Sequence, residues 1–230
     1  MAITKVSEVS GDYPSDGGTH TQSFAALSLL ENDVLVISQS ADSSLTSLGL
    51  ERDQGYTIHY ATGTSPGRLL ATKRMGATPD ANATFAPGAA DHTYAIQVWR
   101  GVDTSTLLDV ALPAEATGDS ANPNSPSATT ATNGALVISV AHLDDDDALV
   151  SVTPSGYTNM ISDNTGQASS TVGATVAMAS KIIASAGAEN PGEWTMDSSD
   201  AWAANTLALR PAAASSISAV VHHRKMLGMQ

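Results

Sequence analysis

Apolar residues fall in short blocks along this chain, separated by Gly, Pro, Asn and Ser. Val34-Leu35-Val36-Ile37 is a continuous, mostly β-branched run of buried-strand type. Residues 92–100 alternate instead, with Tyr94, Ile96 and Val98 on one side and Ala95, Gln97 and Trp99 on the other. The same reasoning predicts strands over residues 34–38, 56–60, 68–75 and 83–85, then 135–142, 149–153, 157–161, 172–184, 193–196 and 201–210. Residues 22–30 suit a strand or one short helix, and 41–50 a strand or a helical turn. Residues 107–112 suit an edge strand, whereas Gly, Asp, Asn, Pro and Ser make 115–127 a surface loop. Residues 1–21 read as a Gly/Ser/Thr-rich arm with a short strand at 3–9. Pro211 closes the last strand because it cannot donate to a ladder.

The pattern repeats. Asn32-Asp33-Val34-Leu35-Val36-Ile37-Ser38 is matched by Asn133-Gly134-Ala135-Leu136-Val137-Ile138-Ser139, and Gly55-Tyr56-Thr57 by Gly156-Tyr157-Thr158, both at an offset of 101 residues. Further on, Leu70-Ala71-Thr72-Lys73 resembles Met178-Ala179-Ser180-Lys181, and Val98-Trp99-Arg100 resembles Ala208-Leu209-Arg210, at wider offsets. Four matches in one order imply an internal duplication. Short strands separated by turn residues imply an all-β fold, and one repeat alone would leave a sheet face bare. The expected architecture is an antiparallel β-sandwich, jelly-roll-like, of two tandem pseudo-symmetric repeats. Its parts are an arm (1–21), repeat one (22–102), a connection (103–132), repeat two (133–212) and a tail (213–230).

Composition narrows the function. The net charge of −13 argues against nucleic-acid binding and against docking on anionic membranes. Charged residues make up 14%, against roughly 25% in an average soluble domain, so Ser, Thr, Asn, Gly and Ala must form much of the surface. Cysteine is absent, which removes disulfides and Cys-ligated zinc. No basic stretch followed by an apolar run suggests a signal peptide at the start of this sequence.

Candidate chemistry is sparse. Asp144, Asp145, Asp146 and Asp147 could offer oxygens to calcium, but adjacent carboxylates diverge and the spacing is not that of a calcium loop. A solvated loop is the blander reading. His142 beside this run could join a metal site, though an ordinary surface histidine is the simpler expectation. Gly63-Thr64-Ser65-Pro66-Gly67 has the outline of a nucleophile elbow, yet Pro66 suits a turn better. Trp99, Trp194 and Trp202, with Tyr56, Tyr60, Tyr94 and Tyr157, would serve as sugar platforms if exposed, and as core if buried. Loop tips near Asp12-Tyr13-Pro14 and Ser155-Gly156-Tyr157 are possible binding edges. No catalytic residue and no cofactor is expected.

The ending Trp202-Ala203-Ala204-Asn205-Thr206-Leu207-Ala208-Leu209-Arg210-Pro211-Ala212, with Trp99-Arg100-Gly101-Val102-Asp103 and Gly134-Ala135-Leu136-Val137-Ile138, carries a resemblance. It resembles Ala-, Thr- and Gly-rich β-sandwich proteins encoded by tailed bacteriophages, prophages and gene-transfer-agent-like particles. The resemblance implies an accessory virion protein of the tail tip, a fibre or the head surface, acting in assembly or host attachment. It implies localisation in the virion and contact with other virion proteins and copies of itself. It transfers no catalytic residue. A carbohydrate-binding module for host polysaccharide is the alternative. A glycoside hydrolase would need a pair of carboxylates flanking a cleft, and no pair stands out.

The tail stands outside both repeats. It combines Ile217, Val220, Val221 and Leu227 with the basic cluster His222-His223-Arg224-Lys225. Such a peptide on an acidic body suits docking, with Val220, Val221 and Leu227 as anchor and His222, His223, Arg224 and Lys225 for steering. A frayed terminus is the blander expectation.

Overall fold

The computed structural model describes residues 1–13, 18–42, 49–50, 54–62, 64, 66–86, 91–144, 149–151, 156–166 and 173–214. The first half supplies β1 (Thr4–Tyr13), β2 (His20–Ser23), β3 (Val34–Ala41), β4 (Gly49–Leu50), β5 (Thr57–Thr62), β6 (Gly67–Arg74), β7 (Asn82–Ala86) and β8 (His92–Arg100). The second supplies β9 (Ala116–Ser120), β10 (Asn124–Ser125), β11 (Ala128–Thr129), β12 (Ala135–Leu143), β13 (Leu149–Ser151), β14 (Thr158–Asn164) and β15 (Thr175–Ile183). It ends with β16 (Ala188–Glu189), β17 (Gly192–Glu193), β18 (Thr195–Met196) and β19 (Asp200–Leu209). The fold is all-β.

Two five-stranded antiparallel sheets form the body, ordered β1-β8-β3-β6-β5 and β9-β19-β12-β15-β14. Each is drawn from its own half of the chain. The orders correspond strand for strand: β3 and β12 are central, flanked by β8 and β19 on one side and by β6 and β15 on the other.

Strand alternation feeds two cores at once. Val34 and Val36 of β3 join Leu136, Ile138, Leu207 and Leu209 of the second sheet in one cluster between the sheets. Leu35 and Ile37 point the other way, into a cluster with Phe24, Leu27 and Phe85. There the small sheet β2-β7-β4 covers the outside of the first sheet. On the second sheet, Val137, Ala177 and Ala208 pack with Trp194. The two-stranded pieces β10-β17, β11-β16 and β13-β18 accompany that half. With both faces covered, every residue of β3 and β12 is buried. This is why the run Val34-Leu35-Val36-Ile37 does not alternate with polar residues.

The registers define two poles. Val34 lies opposite Arg74 and Trp99, and Ala41 opposite Gly67 and His92. In the second sheet Ala135 lies opposite Ile183, and Leu143 opposite Thr175 and Trp202. The hydroxyl of Ser40 donates to Leu143 O, so the far ends of β3 and β12 coincide. At the near ends Val102 bridges Pro211, and the Met1 ammonium donates to Ala212 O. One pole thus gathers the ends of β1, β3, β5 and β12, and the other gathers the first and last described residues. They are termed the loop pole and the terminal pole.

Three expectations are corrected. The short strand expected at 3–9 is longer: β1 pairs along β8 from Thr4 opposite Arg100 to Tyr13 opposite His92. Its polar composition is that of an edge strand, half-buried along most of its length. Residues 115–127 are not simply a loop, since β9 closes the edge of the second sheet against β19. Residues 107–112 form only an isolated bridge, Leu108 to Leu209, while Leu107, Leu108 and Leu112 cap the inter-sheet core.

Candidate functional site

The layer between the sheets changes character along its length. Inward positions run Val34, Val36, Ser38, Ser40 on β3 and Leu136, Ile138, Val140, His142 on β12. On β19, read backwards, they run Leu209, Leu207, Asn205. Each series is apolar at the terminal pole and polar at the loop pole.

The polar part is a chain of side chains crossing from sheet to sheet. Arg68 on β6 reaches Glu115 in a forked pair, with Nε 2.9 Å from Oε2 and NH2 against Oε1. Its NH1 donates to Pro66 O at 2.7 Å. Asn205 Nδ2 donates to the same Glu115 Oε2 at 3.2 Å, and its Oδ1 lies 3.2 Å from His142 Nε2. His142 Nδ1 lies 3.1 Å from Gln39 O, back on the first sheet. Burial raises the Glu115 carboxyl, but Arg68 and Asn205 outweigh it and hold the group below its usual value. His142 is fully enclosed; burial, reinforced by Arg68, pushes its imidazole down to about 4. Its ring faces two oxygens, and a neutral imidazole can donate to only one of them. Burial wins over that second bond, so the ring stays neutral.

A second cluster lies at the same pole on the outer face of the first sheet. The Tyr13 ring stacks on His20 with centroids 4.3 Å apart, and contacts His92 and Tyr94 at 5.2 and 5.4 Å. Phe85 stacks on Tyr94 at 5.2 Å. Burial and the neighbouring Tyr13 raise the Tyr94 hydroxyl, which donates to Gln22. The Gln39 side chain is wholly buried at this face, and neither amide atom has a hydrogen-bond partner.

The third feature is Trp202, whose ring lies across Gly118 of β9. A Cβ on Gly118 would sit 2.4 Å from Trp202 Cζ2. On one side is a depression of about 440 Å³ lined by Thr64, Arg68, Thr117, Asp119 and Trp202. On the other is one of about 410 Å³ lined by Asn124, Ser125, Asn190 and Trp202.

Of the residues singled out in the sequence, Asp144 follows β12 at the loop pole, and Asp145, Asp146 and Asp147 lie outside the described residues. Among the described residues no group of three or more His, Asp or Glu is placed to hold a metal ion. His142 is not a surface histidine; it faces away from solvent because its position on β12 points between the sheets. Trp99, Trp194 and Trp202 are 2%, 0% and 8% exposed, so none is an open platform. The two candidate binding edges separate: Asp12-Tyr13 is at the loop pole and Gly156-Tyr157, at the start of β14, at the other, while Pro14 and Ser155 lie outside the described residues. Residues 63 and 65 of the elbow-like stretch, and the docking residues Val220, Val221, His222, His223, Arg224, Lys225 and Leu227, lie outside the described residues. The Arg68–Glu115–Asn205 chain was missed from sequence. Its signal is a polar residue inside a small apolar run, Asn205 in Ala203-Ala204-Asn205-Thr206-Leu207.

No protein-family model, no curated protein and no solved structure matches this chain.

Proposed function

We propose that this protein is a non-enzymatic structural component of a tailed-bacteriophage particle, acting in assembly or host attachment. The observation that carries the reading is the polarity of the body. The layer between the sheets is polar at one pole, while the first residues and residues 211–214 share the other. One end is thus suited to presentation and the other to anchoring. Central strands covered on both faces make a rigid spacer between the two. The resemblance of its strand ends to accessory virion β-sandwiches points the same way. Quantitative mass spectrometry of purified particles tests this. The chain should be present at a fixed copy number, and its absence from particles of a producing strain would overturn the reading.

Glycan binding is the second reading, favoured by the half-buried Tyr13 stacked on His20 beside exposed Asp12. A partly exposed aromatic ring can pack on the apolar face of a sugar while a carboxylate accepts hydrogen bonds from its hydroxyls. A glycan array with wild type and Tyr13→Ala decides it: signal lost in the variant supports the reading, and no signal from either removes it.

A further inference from the structure

Four polar side chains lie near one another in register on the inner face of the first sheet. Glu8 of β1 stands opposite Gln97 of β8, and Ser10 opposite Ala95. On the other side of β8, Ser38 of β3 stands opposite Ala95, and Ser40 opposite Thr93. Residues directly opposite share a face, so Glu8, Gln97, Ser38 and Thr93 all point between the sheets.

Among the described residues, Glu8 Oε2, Gln97 Oε1, Ser38 Oγ and Thr93 Oγ1 are buried and have no hydrogen-bond partner. A polar atom left so is costly. The other carboxylate oxygen of Glu8 is engaged, accepting from Lys5 Nζ at 2.7 Å. Nor can the Gln97 amide be turned to help. Its Nε2 donates to Asn159 O at 2.6 Å, and a flip would set two acceptors against each other. That carbonyl is aimed by β14, whose pairing shifts register between Thr158 and Ile161. Asn159 there has a left-handed backbone, φ +52°, and its side chain donates to Ser180 Oγ at 3.0 Å.

Glu8 Oε2 and Gln97 Oε1 are thus two acceptors on adjacent strands, and both need a donor that neither can supply. The Ser38 and Thr93 hydroxyls can donate and accept. Gln97 and Thr93 are four residues apart on β8, about 13 Å, so one small molecule cannot serve both. Between them Ser38 and Ala95 are the smallest inward pair that β3 and β8 share, against Val34 with Trp99, Val36 with Gln97 and Ser40 with Thr93.

We infer that ordered water is bound on the inner face of β8, one molecule donating to Glu8 Oε2 and Gln97 Oε1 and another bonded to Ser38 Oγ and Thr93 Oγ1. Water donates twice and accepts twice, and it is small enough for a layer that β14 closes from the other sheet. The edge strands β1 and β14 then meet through solvent, whereas Val34 and Val36 share an aliphatic cluster with Leu136 and Ile138. The site needs only this chain, and stands or falls separately from the particle reading.

A high-resolution crystal structure of the full chain is the first test. Ordered water is expected within hydrogen-bond distance of Glu8 Oε2 and Gln97 Oε1, and again between Ser38 and Thr93. A dry seam, or a peak with the many-oxygen coordination of a metal ion, would overturn the inference. The second test is Thr93→Val, which keeps the shape and removes the hydroxyl. Where water bonds that hydroxyl, the urea midpoint of the variant falls. A midpoint that is unchanged or higher, as when an unpartnered hydroxyl is removed, would equally overturn the inference.

Discussion

Lys181 Nζ stands 5.6 Å from the centre of the Tyr157 ring and is bonded at 2.8 Å to Glu189. In the other half Lys73 Nζ stands 5.1 Å from the Tyr56 ring and pairs with Asp80. Both tyrosines follow a glycine with positive φ, Gly55 at +75° and Gly156 at +90°. A Cβ at either would lie 3.7 or 3.6 Å from the lysine Cε, so each glycine turn, ring and ammonium forms one packed unit. Burial raises both tyrosine hydroxyls, Asp80 and Glu189 adding to it in turn, so both stay protonated under the cation.

This unit should matter equally in both halves. Lys73→Met and Lys181→Met are each expected to cost about 0.5–1 kcal/mol, the worth of a partly exposed cation over a ring. Gly156→Ala should cost about 1–2 kcal/mol, since its conformation is left-handed. Urea midpoints check this. A shift in one half but not the other would show that the local likeness has no common energetic basis.

The inter-sheet core belongs to neither half alone. Without the second sheet, Val34, Val36, Leu70 and Trp99 would be uncovered. A fragment of residues 1–102 is therefore expected to aggregate or stay unfolded, and co-expression with residues 103–230 should recover a soluble pair. A folded, monomeric fragment, seen by circular dichroism and sedimentation, would mean two independent domains.

Most strands were legible because their apolar spacing is set by burial on a pleated surface. What escaped was written in glycine. Gly11 in β1 and Gly118 in β9 look like loop residues, yet each lies under an aromatic ring of the adjacent strand. A Cβ at Gly11 would come 2.4 Å from Tyr94 Oη, and one at Gly118 equally close to Trp202. Glycine there makes room for a ring rather than a turn, and only the pairing of distant strands reveals it. The polar belt escaped for a related reason. Arg68, Glu115, His142 and Asn205 are far apart in sequence and come from four separate segments, and none of them matches a motif.

Packing should discriminate sharply between two aliphatic positions. Leu207 is wholly buried between the sheets, whereas Ile182, on β15, is 47% exposed. Leu207→Ala should cost about 2–5 kcal/mol. Ile182→Ala should fall within about 0.5 kcal/mol. Chemical denaturation measures both, and comparable losses would show that Ile182 is covered in solution.

Breaking the belt at its ionic end should be costlier than most surface changes. The Arg68 side chain is 8% exposed and that of Glu115 17%. Glu115→Gln keeps the shape but leaves the guanidinium without its counter-charge. A loss of about 3–5 kcal/mol is expected, the cost of stranding one member of a buried pair. An unchanged thermal midpoint would mean that water reaches Arg68 and replaces the carboxylate.

His142 supplies the pH signature of the sandwich. In the unfolded chain its imidazole titrates near ~6.5. Enclosed between the sheets, facing Gln39 O and Asn205 with Arg68 and Glu115 beyond, it takes a proton only near about 4. Between those values the unfolded chain binds a proton that the folded chain refuses. Stability is therefore complete above ~6.5 and falls as the pH drops toward about 4. His59, half-buried and lowered by desolvation, adds a contribution of the same sign. Replacing His142 by Gln removes its share while keeping a hydrogen-bonding side chain. The variant should lose some stability at neutral pH, yet its urea midpoint should fall less steeply than that of the wild type as acid is added. Parallel curves for the two proteins would show that the ring is already protonated in the folded state, donating to both oxygens, and that the charge of Glu115 outweighs burial.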